Sequence, residues 1–315
     1  MSTLTSSRVI ENMWRKKALL EASDQKASEI IVDVLIEPGA QLGVYATGQG
    51  MALDDMGLLS TIRRIYGIST GIWVAGYLAA GKIRTGAEVY CSDFPRLKFA
   101  QCWPPRRFML DKNAITQAAQ FGDNRLNMDG VLASSIEMYA GVTLEDGRGA
   151  FVDVKTARPS AWSAFYASSA NPLAYSEPME VNDFLCWDGG IGIKWPMWNI
   201  CYDARLKPTD LLVLPNIPFV SQRKFSHSIA ERVYCETTMR SYLPAHLRQL
   251  IYIRKQSLVE DLLTVMYDVR EVNVHVLWPP DCGIHEFTMD EHKLRKAVSI
   301  SEGHTREIFS RYNQG

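Results

Sequence analysis

The spacing of apolar and polar positions along this chain changes several times, and each change marks an element. Val9, Ile10, Met13, Trp14 and Leu20 recur at helical spacing, with Arg8, Arg15, Lys16 and Lys17 around them. That pattern predicts an amphipathic helix from Val9 to Ala22, with Ser6 and Ser7 as candidate caps. Such a helix either packs on a domain with a solvated basic face, which is the default, or lies on a membrane surface. Glu29 to Ile36 is short, β-branched and apolar, which predicts a strand. A loop with two glycines, Glu37 to Gly43, runs into a helical stretch from Val44 to Met56 closed by Gly57. Thr61 to Ile65 predicts a second strand, and Ile72 to Gly81 a buried helix ended by glycine.

Strand, loop, helix, strand, turn, helix implies a parallel sheet with crossover helices. Residues 83–130 carry no regular period, and Cys102 to Arg107, with its two prolines, reads as a loop. Ile136 to Thr143 and Ala150 to Lys155 predict a hairpin around Leu144 to Arg148. Phe165 to Pro172 predicts a short helix ended by Asn-Pro. Phe184 to Trp187 reads as a strand end, and Leu211 to Leu214 and Val272 to Leu277 as later strands. Residues 222–267 read as mostly helical, with an amphipathic run from Leu247 to Tyr267. A terminal helix is expected from Met289 to Phe309, loosened near Gly303. With no linker, repeat or low-complexity tract, residues 29–315 read as one α/β domain. The helix within residues 1–28 belongs to it.

Composition narrows the function classes. The chain has 315 residues, 47% hydrophobic and 22% charged, an ordinary globular balance. A formal net charge of -1 and the absence of a long basic run argue against a nucleic-acid partner. The six cysteines are scattered without a C-x-x-C, as expected for reduced thiols of a cytoplasmic setting rather than a disulfide frame or zinc site. The N-terminus lacks an apolar signal region. Ile65 to Gly81 is uncharged and close to membrane-spanning length, but its glycines and internal turn favour a buried helix. Gly76 to Ile83 nearly matches a phosphate-binding loop; it lacks the Ser/Thr and sits at a helix end. No G-x-G-x-x-G follows a strand and no ligand cluster has metal spacing, so no cofactor or metal is called for.

The chemistry gathers at Tyr66-Gly67-Ile68-Ser69-Thr70-Gly71. Strand, Gly-x-Ser-x-Gly, helix is the pattern of a nucleophile elbow: Gly67 and Gly71 allow a tight turn, and Ser69 is held at a helix N-terminus. The Gly39–Gly43 loop would lie beside it if the two strands are neighbours, supplying backbone N–H groups for an oxyanion. Asp188-Gly189-Gly190 follows a strand and is placed to reach the same cleft, although alone such a run is more often just a turn. The histidines His227, His246, His275, His285, His292 and His304 all lie late. A Ser, Asp, His triad is open by order alone, but the elbow follows only two predicted strands, too early for that hydrolase fold. Trp162, Trp187, Trp195 and Trp198 lie near the aspartate motif; they fill the core or meet a membrane interface.

Together these motifs resemble the patatin-like phospholipase family. The elbow is Gly67-Ile68-Ser69-Thr70-Gly71, the aspartate motif is Asp188-Gly189-Gly190, and Ala167-Ser168-Ser169-Ala170-Asn171-Pro172 is similar to the family's A-S-S-A-x-P segment. Gly48 to Leu58 aligns without a gap to its G-V-L-x-A-L-E-E-x-G-L pattern. The resemblance implies a three-layer α/β/α sandwich with a mostly parallel central sheet. It also implies a Ser69–Asp188 dyad hydrolysing fatty-acyl esters of a phospholipid or lysophospholipid, without metal; peripheral contact with a membrane is a separate expectation, which holds if the tryptophans near the aspartate motif meet an interface rather than fill the core. Gly39, Ala40 and Gly43 would form the oxyanion hole, with Gly189 and Gly190 supporting the motif. The loop departs from the family's G-G-G-x-R-G: Pro38 to Gly43 keep Gly39 and Gly43, while two glycines and the arginine are replaced. Proline donates no N–H. Losing one oxyanion donor costs on the order of 10²–10³ in turnover, so a second reading is a degenerate domain that binds lipid or a partner without turnover.

Overall fold

The strongest apolar runs, spread along the chain, pair in parallel within one sheet. In the computed structural model, which describes residues 7–100, 110–202, 207–219, 239–253, 258–268 and 271–313, β1 (Val32–Ile36) lies between β2 (Ile62–Ile68) and β7 (Asp210–Leu214). β3 (Glu137–Leu144) extends the parallel set beside β2, and β8 (Asn273–Val276) beside β7. The antiparallel strands are β4 (Gly149–Asp153), β5 (Met179–Val181) and β6 (Phe184–Asp188). The eight strands form one mixed, mostly parallel sheet.

Strand residues alternate between two apolar layers, as the pleat requires. Val32, Val34, Ile36, Leu212 and Leu214 face one layer, and Leu35, Leu211 and Val213 face the other. Covered on both sides, β1 is buried along its whole length, which suits a parallel strand. The first layer holds α1 (Arg8–Glu21), α2 (Gly43–Asp55), α3 (Thr70–Ala79), α4 (Ala161–Ser168) and α5 (Glu291–Ser310). Pro196–Tyr202 and Leu258–Asp268 cover the opposite face, giving a three-layer α/β/α sandwich.

Helix α1 packs rather than floats: Val9, Ile10 and Met13 are fully buried, and Lys17 donates to the Met56 carbonyl at 2.9 Å. Ser7 makes no capping bond, because it is itself in a helical conformation; Ser6 lies outside the described residues. Gly81 ends α3 at φ +64, with Lys82 N–H bonded to Tyr77 O, so the near phosphate-loop match is a helix C-cap.

Several expectations change. β1 is shorter than expected, because Asp24 accepts from Lys26 N–H and turns residues 25–29 into a short 3-10 segment. Residues 83–130 contain short helical pieces, including π-turns at Val89–Asp93 and Gln117–Phe121, whose spacing hides the usual period. Helix α5 runs through Gly303, which sits on its exposed side. The run from Leu247 to Tyr267 belongs to two helices, Ala245–Ile253 and Leu258–Asp268. Cys102 to Arg107, His227 and Cys235 lie outside the described residues. Cys91, Cys186, Cys201 and Cys282 are free thiols. Among the described residues, no helix is long and apolar enough to cross a membrane.

Candidate active site

Strand β2, inside the sheet, delivers Ser69 to the C-terminal end of the parallel strands. It ends at Ile68, α3 begins at Thr70, and Ser69 between them has φ 55 and ψ -121. A non-glycine residue at positive φ stores on the order of 1–3 kcal/mol, and surrounding packing must hold it. Here the packing comes from the end of β1: a Cβ on Gly71 would lie 2.2 Å from the Ile36 carbonyl oxygen. The elbow therefore closes only with glycine at that position. Gly67 sits as tightly against the backbone of Ile72.

Asp188 arrives from the opposite direction. β4 occupies one flank of β3. On the other flank β2 pairs as far as Gly141, and β6 pairs from Val142 to Leu144, running antiparallel. The C-terminal ends of β2 and β6 thus meet head to head. The aspartate does follow a strand, as expected, but it reaches Ser69 by this antiparallel approach. Gly189 permits the close turn, since a Cβ there would stand 2.2 Å from Gly141 O.

Ser69 Oγ donates to Asp188 Oδ2 at 2.7 Å. Asn171 Nδ2 donates to the same oxygen at 3.1 Å, and Gly190 N–H donates to Oδ1 at 2.8 Å. Asp188 is fully buried, while Ser69 is half-exposed. The backbone is fastened as well. Ser69 N–H donates to Ser168 Oγ at 3.1 Å, Asp188 N–H to Ala170 O at 3.1 Å, and Thr143 Oγ1 to Asp188 O at 2.8 Å. The segment Ser168–Asn171, at the end of α4, thus holds both members of the pair.

The loop after β1 lies beside the elbow, since Ile36 and Gly67 are partners in neighbouring strands. Gly39 has φ 167 and ψ 13, whereas Ala40 has φ 47 and opens a 3-10 turn over Ala40–Leu42. Among the described residues, the N–H groups of Gly39 and Ala40 have no hydrogen-bond partner, which leaves them available to an anion. Gly43 does not act as a donor in this way: its N–H bonds back to Ala40 O and Gln41 O and closes the turn. Asn216, after β7, donates through Nδ2 to Glu37 O and accepts from Ala46 N–H at 3.3 Å, tying the loop to α2.

Sequence reasoning missed the roles of Asn171, Ser168, Thr143 and Asn216. Asn171 stood within the Ala-Ser-Ser-Ala-Asn-Pro segment and was read only as a helix stop. Asn216 carried no signal, being a single amide after a strand. No histidine bonds to Ser69 or Asp188 among the described residues. His246 Nε2 contacts Glu145 O and His285 Nδ1 accepts from Phe287 N–H. Trp187 is buried, Trp162 packs on Trp73 and Tyr166, Trp195 is half-buried, and Trp198 stacks on Tyr202.

Fold and geometry define an α/β sandwich with a hydrogen-bonded serine–aspartate pair where β2 and β6 meet. No family model matches the chain, and no curated protein matches it. Among solved structures, the crystal structure of VipD from Legionella pneumophila is similar over 89% of this chain and 67% of that one, at 12% identity and a TM-score of 0.41. Likeness at that level carries no functional argument, so the chemistry must stand on the site.

Proposed function

We propose that the protein is a carboxylic ester hydrolase of the phospholipase or lysophospholipase type, working through Ser69 and Asp188. One observation carries this reading: the 2.7 Å bond from Ser69 Oγ to Asp188 Oδ2, on a serine held at positive φ at the head of a helix. Asp188 takes the Ser69 proton as Oγ attacks the acyl carbonyl. The negative charge that develops on the carbonyl oxygen meets the Gly39 and Ala40 N–H groups and the N-terminus of α3. Collapse of the intermediate expels the lipid alcohol, which takes the proton from Asp188. Water, deprotonated by the same carboxylate, then attacks the acyl-enzyme, and the fatty acid leaves. The choice of a lipid ester rests on the resemblance of the three sequence motifs.

Fluorophosphonate labelling of the folded chain is the direct test. A single adduct on Ser69, absent in Ser69→Ala, and fatty acid released from phospholipid vesicles or lysophospholipid micelles are the expected results. Folded protein that takes no label and releases no acid would end the hydrolase reading and favour a lipid-binding domain without turnover.

A further inference from the structure

Tyr90 touches both halves of the site without reaching either the serine or the aspartate. It lies in the π-turn Val89–Asp93 and is almost fully buried. Its hydroxyl shares a short hydrogen bond with Thr70 Oγ1 and also contacts Thr70 O at 3.2 Å. Thr70 is the first residue of α3, directly after Ser69. The Tyr90 carbonyl accepts from Gln41 Nε2 at 2.6 Å, and Gln41 stands next to Ala40 in the loop after β1. Gln41 is fully buried, and its Oε1 has no protein partner among the described residues. A buried amide left half-satisfied at this point is a cost that a purely structural tie would avoid. The Tyr90 ring also fixes the spacing: a Cβ on Gly43 would lie 2.8 Å from its Cε1 and Cζ and 2.7 Å from Thr70 Oγ1. Gly43 therefore contributes closeness, letting the loop rest directly on Tyr90 and Thr70. Burial holds the phenol above its ordinary range, so it remains a neutral donor.

We infer that Tyr90 is a positioning residue for oxyanion stabilisation, holding the Gly39–Ala40 donors and the N-terminus of α3 at one fixed separation. The inference rests on the acyl-hydrolase reading. Oxyanion donors are effective only when pre-aimed at the charge that develops, so loosening either half weakens the transition state more than the bound substrate. Tyr90→Phe keeps the ring and removes both hydroxyl contacts. Gln41→Met keeps the bulk and releases the loop from the Tyr90 carbonyl.

The experiment compares kcat and KM with affinity for two probes: a trifluoromethyl ketone lipid, which forms a tetrahedral adduct, and an ether lipid that cannot be cleaved. For Tyr90→Phe, kcat should fall on the order of 10- to 100-fold with KM changed less than about threefold. Ketone affinity should fall by a similar factor while ether-lipid affinity holds. Gln41→Met should shift the same quantities in the same direction. If Tyr90→Phe does not fold, Thr70→Val removes the Oγ1 contact from the other side and must show the same split. Unchanged kcat in a folded variant, or equal losses for ketone and ether lipid, would overturn the inference alone. A wild-type protein that neither turns over nor binds the ketone would overturn the hydrolase reading, and this inference with it.

Discussion

Asp33 and Asp188 are both fully buried on the same sheet, and their partners differ. Asp33, low on β1, faces Arg64 of β2, whose Nε donates to Oδ1 at 3.0 Å; both side chains are essentially shut off from solvent. Asp188, at the end of β6, has no cation beside it among the described residues. Its donors are a hydroxyl, an amide and a backbone N–H. A guanidinium beside a carboxylate fixes the negative charge and opposes its protonation. Neutral donors orient a carboxylate without supplying a positive charge, and one of those at Asp188 is the group whose proton would move. Burial alone therefore does not distinguish the two carboxylates; the identity of the partner does.

The largest expected effect tests that contrast directly. Asp188→Asn should leave the fold intact and lower kcat on the order of 10⁴-fold, because the amide cannot take the Ser69 proton. Asp33→Asn should lower the melting temperature yet leave kcat per folded molecule within about threefold. Near-normal turnover in the Asp188 variant would erase the distinction between the two sites and reopen the search for a histidine base.

The next effect is on stability and depends on pH. Burial pushes the Asp33 carboxyl up to about 7, against the pull of Arg64. Arg64→Met strands that carboxylate, a loss of about 3–5 kcal/mol when it is charged. The sign follows from the raised value. Below the ordinary carboxyl value of 3.8 the group is protonated in folded and unfolded chains alike, and the contribution is fully present. Between 3.8 and about 7 the unfolded chain has given up this proton while the folded state keeps it, so stability falls across that window and the contribution is gone once pH passes the folded value. Denaturant melts of Arg64→Met should therefore show its largest deficit above pH 7 and a smaller one near pH 5. A deficit that grew toward acid would mean that the pair is held chiefly by its charge, and that burial is the minor term.

The parts of this site that were legible in the sequence are those that announce themselves locally. Ser69 stands between a strand and a helix with glycine on both sides, and Asp188 precedes two glycines after an apolar run. The backbone needs those glycines, so they cannot be disguised. The order β1, α2, β2, α3 was readable for the same reason, since each element has its own period and stop. The direction of β6 was not, because a short apolar run carries no sign of which way it will pair. β5 is too short to have a period at all. Asn171, Ser168 and Tyr90 make their contacts with residues outside their own sequence neighbourhood. Nothing near Tyr90 in sequence points to Thr70 or Gln41, since the tie exists only after the loop and the elbow have been packed together. The tight Gly43 N–H turn was likewise invisible, because glycine serves equally well as a donor and as a point of close approach.

The smallest effect concerns the loop that must meet the negative charge at the Asp188 end of the sheet. Ala40 has φ 47, a conformation that costs an L-residue roughly 1–2 kcal/mol. Glycine would relieve that strain but loses about 0.4–1 kcal/mol through the greater freedom of its unfolded chain. Ala40→Gly should therefore raise stability by about 1 kcal/mol or less and leave kcat within about threefold, because the loop already holds the required shape. Ala40→Val should be worse on both counts, since a β-branched residue resists positive φ more strongly than alanine. Neither change touches Asp33 or Arg64, so the pH profile of stability should remain parallel to wild type. If Ala40→Gly instead raised kcat tenfold or more, the alanine would be holding the donors away from their working position. The altered loop, rather than the serine–aspartate pair, would then set the rate.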